Sequence, residues 1–144
     1  MGNLGDAGFA LALCLAAGGS ALGTGAAGMG ALGAWKKCFL NNKAAPFILI
    51  AFVGAPLSQT IYGMILMNAI NAAPDTVSAG AKFSSGLMGG LAMGLSAWLQ
   101  GRAGALASDA LAETEKGFGN YIMVLGVIET VALFVMVFLM TVLR

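Results

Sequence analysis

The sequence contains no histidine and very little charge: 7 basic and 6 acidic residues make up 9% of its 144 positions. An ordinary soluble domain is about 25% charged. Too few charges are present to clothe the surface of a soluble enzyme. The absence of histidine removes Ser-His and Cys-His catalysis and histidine-ligated metals. A net charge of +1 leaves no electrostatic footprint for nucleic acid. The 2 cysteines, Cys14 and Cys38, also lack a role as a bridge. On one continuous helix they would stand roughly 36 Å apart at 1.5 Å per residue, too far for a disulfide. What the chain has in abundance is hydrophobic residues, 59% of it, and 22 glycines. That composition excludes a disordered chain.

The few charges divide the sequence. Residues 7–35, 44–74 and 83–101 carry none, and residues 117–143 carry only Glu129. A membrane-spanning helix needs about 20 mostly apolar residues. Four transmembrane helices are therefore expected, near 8–34, 45–72, 82–107 and 117–142. Each run is far longer than a barrel strand of about 10 residues. The first span is read as a spanning helix and not a signal peptide, because the start MGNLGDAG has no basic segment. Lys36, Lys37, Lys43, Arg102 and Lys116 flank the two hairpin loops, and only Lys82 and Arg144 lie on the other side. This asymmetry predicts cytoplasmic hairpin loops and both termini outside. Trp35 suits an interfacial anchor.

The third span repeats the first. Gly19, Gly23, Ala26, Gly30 and Gly33 follow the same spacing as Gly90, Gly94, Ala97, Gly101 and Gly104, and each set forms a stripe on one helix face. Spans two and four align so that Gln59-Thr60 falls on Glu129-Thr130. The pattern predicts two tandem-duplicated hairpins, 8–72 and 82–142, within one membrane domain over 1–144. Small residues let helices approach closely in lipid. Two matched stripes favour a crowded inner wall, where many copies of one helix meet around an axis, over plain packing inside one chain.

Glu129 is the one charge near the middle of a span. A charge at the bilayer centre costs about 2.5–3.5 kcal/mol on insertion scales, so it marks a functional site by default. Gln59, Ser58, Tyr62 and Gln100 are polar groups that can converge on it, although Gln100 is only two residues from Arg102. Pro56 lacks an N–H and can turn carbonyls of residues 52–55 toward a ligand. Proton carriage needs one carboxyl. Hard cations need several oxygens, and two buried glutamines are costly unless they supply them.

The segments APLSQTIYG (55–63), AWLQGRAGA (97–105) and VIETVAL (127–133) resemble the membrane-ring proteolipid, the c or K subunit, of V-type and A-type rotary ATPases. The resemblance covers essentially the whole chain. It is similar to the sodium-carrying branch, which has a glutamine in each of the second and third helices. It implies an all-α integral membrane fold assembling into an oligomeric ring of identical subunits. It also implies sodium ligands at Glu129, Gln100, Gln59, Ser58 and the Ala55 carbonyl, with Tyr62 bonded to the glutamate. Serine stands at 58 where threonine is expected. The implied partners are a stator membrane subunit with an essential arginine, central-stalk subunits at the loops 36–43 and 108–116, and lipid. The expected location is a bacterial plasma membrane. The chain itself is expected to be non-catalytic, since it has no GxxxxGK[ST] phosphate loop, and to need no organic cofactor. One carboxylate per four helices raises the work available per ion and favours pumping over synthesis.

Three other readings compete. The same rotor can carry protons. A small four-helix multidrug transporter usually carries its glutamate in the first span, with a more aromatic pocket, whereas this chain is only 8% aromatic. A structural scaffold would tolerate the loss of Glu129.

Overall fold

The computed structural model describes residues 4–144. Among these residues the regular structure is entirely helical and forms four rods. They are α1 (Leu4–Leu40), a broken rod of α2 (Ile50–Gly54) and α3 (Ser58–Ala72), α4 (Ala79–Thr114) and α5 (Phe118–Val142).

Each interruption has a local cause. α1 stops where Asn42 adopts φ 54°, and the Lys43 N–H donates to the Cys38 carbonyl at 2.9 Å. Asparagine accepts this left-handed conformation more readily than most residues. Pro56 lacks an N–H, and the second rod tightens into a 3-10 turn over Ala55–Leu57. α4 is capped by Ser78, whose hydroxyl accepts from the Ala81 N–H at 3.2 Å. It ends at Glu115, φ 58°, and Gly117, φ 90°, completes the turn into α5.

Two expectations change. First, α1 and α4 run well beyond 8–34 and 82–107, to 37 and 36 residues. At 1.5 Å per residue that is about 55 Å, against a hydrocarbon core of about 30 Å. A charge ends an apolar run but not a helix, and the lysines and glutamates at these ends are good helix formers. Second, three rods, not four, are long and apolar enough by composition to cross a membrane: α1, residues 47–72 and α5. In α4 the glycines, Ser96, Gln100 and Arg102 dilute the apolar content.

The glycines of α4 have a packing role. α1 and α4 lie side by side and parallel: Gly8 meets Phe83, Gly19 meets Gly94, Gly23 meets Ala97 and Gly30 meets Ala105. A Cβ placed on Gly19, Gly23 or Gly101 would fall inside the backbone of the other helix. The two stripes therefore close on each other within one chain. On α4 the whole stripe, Gly90, Gly94, Ala97, Gly101 and Gly104, is buried. Within one chain, then, most of each stripe is spent on the packing of α1 against α4. On α1, Gly18, Gly25 and Gly33 still face open space.

α3 and α5 form the other side of the molecule, antiparallel to α1 and α4. Two apolar clusters hold the four rods together. One surrounds Leu66, Ile70, Met93 and Ala132, and the other surrounds Leu49, Phe52, Leu111 and Leu125. The outward face of α5 is apolar and exposed, with Met123, Val127, Val131, Phe134 and Phe138.

Ion pairs gather both hairpin loops at one end. Lys37 contacts Asp109 at 3.0 Å and Glu113 at 2.6 Å, and Lys43 contacts Glu115 at 3.7 Å. These pairs are solvent-screened and set register more than stability. Trp35, expected as an interfacial anchor, donates its indole N–H to the Pro46 carbonyl at 2.8 Å and clasps the first loop. At the opposite end Lys82 donates to the Ala73 carbonyl at 2.8 Å. Both cysteines are unpaired on α1, Cys14 exposed and Cys38 buried.

Candidate functional site

A polar layer separates the two apolar clusters. Spacing on each rod sets the layer's side chains. Gln59 and Tyr62 are three residues apart on α3, Ser96 and Gln100 four apart on α4, and Leu125 and Glu129 four apart on α5, so each pair shares a helix face. The three faces converge.

Glu129 lies half-buried in the middle of α5. The Tyr62 hydroxyl donates to its Oε1 at 2.6 Å, and Gln100 Nε2 donates to its Oε2 at 3.1 Å. Gln100 Nε2 also reaches the Leu125 carbonyl at 3.0 Å. Gln59 Nε2 donates to Gln100 Oε1 at 2.8 Å. Ser58 Oγ lies 3.1 Å from both Gln59 Oε1 and the Ala55 carbonyl. The structure thus brings Ala55, Ser58, Gln59, Gln100, Glu129 and Tyr62 into one hydrogen-bonded chain. Gln59 and Gln100 are 0% exposed.

The 3-10 turn helps to place the first members. It holds the Ala55 carbonyl where a hydroxyl three residues on can reach it. Arg102 sits two residues from Gln100, about 200° around the helix, and therefore points away from the layer. It is exposed, with its guanidinium 5.9 Å from the Trp98 ring. Gln100 can thus reach Glu129 although an arginine stands so near in sequence.

Ser96 is a member that the sequence reading missed. Its hydroxyl donates to the Ile128 carbonyl at 2.9 Å and lies 3.5 Å from Gln59 Nε2. In a glycine-rich helix a serine reads as one more small packing residue. The available signal was its position one turn before Gln100.

The layer offers carboxylate, amide, hydroxyl and backbone oxygens, the donor types that hard cations take. Among the described residues no three His, Cys, Asp or Glu side chains group together.

The family model for the ATP synthase C subunit matches residues 83–142. The second hairpin is similar to that family. The matched segment contains Gln100 and Glu129. The first hairpin lies outside the matched residues, whereas the resemblance read from the sequence spans essentially the whole chain. Its Gln59 stands where the repeat would place the second hairpin's carboxylate. No curated protein matches the chain.

Proposed function

We propose that the chain is the rotor-ring proteolipid of a V-type, ATP-driven ion pump and carries sodium at Glu129. In this reading all four rods cross the membrane as two duplicated hairpins, 8–72 and 82–142. The loops face the cytoplasm and the central stalk, and both termini lie outside. The observation that carries the proposal is the continuous network linking Glu129 to two fully buried glutamines. A proton carrier has no use for those amides. A sodium ion gains their oxygens, together with Ser58 Oγ, the Ala55 carbonyl and the carboxylate.

The burial pattern suggests how the ion is released. Gln59 and Gln100 are locked between rods, whereas Glu129 is only half-buried. The carboxylate is the part that can swing outward. An arginine on a stator subunit would draw it away from Tyr62 and Gln100, and the ion would then leave. Tyr62 holds the closed state.

Carbodiimide labelling tests the proposal, since the reagent attacks a protonated carboxyl in an apolar site. Glu129 is expected to label, and sodium but not potassium is expected to protect it at fixed pH. Equal labelling with and without sodium would shift the cargo to protons. Absence of labelling would reject the rotor reading.

A second expectation concerns Tyr62→Phe. Hydrogen bonds to charged groups contribute about 1.5–3 kcal/mol. The sodium concentration that halves labelling should rise about tenfold or more in this variant. An unchanged concentration would remove Tyr62 from the site.

A further inference from the structure

We propose that Ser20 and Thr24 of α1 hold a buried water behind the ion site and thereby position the Gln59 amide. α1 packs antiparallel to the broken rod, with Gly63 against Ala16, Gly23 against Pro56 and Gly28 near Val53. That register places Ser20 level with Gln59 and Thr24 level with Ala55. The two residues are four apart and share a helix face. Ser20 is 2% exposed, and the hydroxyl oxygens of both residues are closed off and have no hydrogen-bond partner in the protein.

Buried hydroxyls without partners are rare in native proteins, and an ordered water is the usual solution. Close packing does not require hydroxyls here. The same face of α1 is otherwise built of Ala12, Ala16, Gly23 and Ala27, so alanine would serve. Gln59 offers the third partner. Its Nε2 hydrogens are directed to Gln100 and Ser96, and its Oε1 faces Ser58; with the Ser58 hydroxyl turned to the Ala55 carbonyl, which it also reaches, that oxygen has one lone pair for the ion and one for a water. A water held by Ser20, Thr24 and Gln59 Oε1 has the three bonds typical of a buried site. It would keep the glutamine from flipping and hold its oxygen in the cage. Ser20 and Thr24 are therefore positioning residues, and the effect on sodium rests on the function proposed above.

The test compares wild type, Ser20→Ala, Thr24→Val, the double variant and Thr24→Ser in the purified ring. The sodium concentration that halves carbodiimide labelling of Glu129 should rise several-fold in each single variant and about tenfold in the double. Thr24→Ser, which keeps the hydroxyl, should match wild type. A high-resolution density map should show a water between residues 20, 24 and 59 in wild type and none in the double variant. No such density in wild type, or an unchanged half-protecting concentration in Ser20→Ala, overturns the proposal. Ser20→Ala adds only another alanine to this face and keeps the test valid if Thr24→Val fails to assemble. If wild-type Glu129 labels but sodium gives no protection, the ion reading fails, and the density alone decides the water site.

Discussion

Glu129→Gln is expected to abolish ion transport and carbodiimide labelling while leaving the helices folded. The substitution keeps the shape of the side chain. The new amide oxygen can accept from Gln100, and its N–H can donate to the Tyr62 hydroxyl, which turns to accept. What disappears is the negative charge. A unit charge 4 Å from a cation contributes about 4 kcal/mol at an effective dielectric constant of 20. That corresponds to roughly a thousandfold in ion affinity. Sodium uptake into vesicles containing the reconstituted complex should fall to background, with the helical circular dichroism unchanged. Retained uptake would favour a scaffold role for the chain.

Gly101→Ala is expected to be among the most damaging single-methyl changes in the molecule. Its Cβ would occupy the backbone of Gly23, and a helix backbone cannot move aside as a side chain can. Overpacking of this kind costs about 3 kcal/mol or more, so folded protein should be scarce. Gly18→Ala and Gly25→Ala are the controls, because a Cβ there meets nothing within 4 Å. They should be neutral or stabilising by about 0.5–1 kcal/mol through the lower entropy of the unfolded chain. Thermal melting of the subunit in detergent separates the outcomes. Equal melting of Gly101→Ala and Gly25→Ala would contradict the close contact of α1 and α4.

Much of this was legible in the sequence, for identifiable reasons. Uncharged runs gave the number of rods, because charges are confined to their ends. Pro56 marked the break in the second rod, because a missing N–H has no substitute. Glu129, Gln59 and Gln100 stood out because polar groups are rare among so many apolar ones. The partner of each glycine stripe was less visible. A small residue has no side chain to show which neighbour it serves, and most of each stripe packs against the other. The full lengths of α1 and α4 were also hidden, since Lys36, Lys37, Asp109 and Glu113 end the apolar composition but continue the helix. Ser96, Ser20 and Thr24 were overlooked for a related reason. Among glycines and alanines a hydroxyl passes for a small packing group until its partners, or their absence, can be seen.

The contact between α1 and α4 also has a mechanical consequence. Most helix pairs meet through side chains that can change rotamer and slide. Here backbone rests on backbone for most of two long helices, and little remains that can yield. Torque applied at the loop end would travel along this pair almost undiminished to the level of Glu129. Compliance must then lie on the other side of the molecule, in the rod interrupted at Ala55–Leu57 and in the exposed length of α5. In the rotor proposed above, the stiff half would keep the ring in step while the soft half admits and releases the ion.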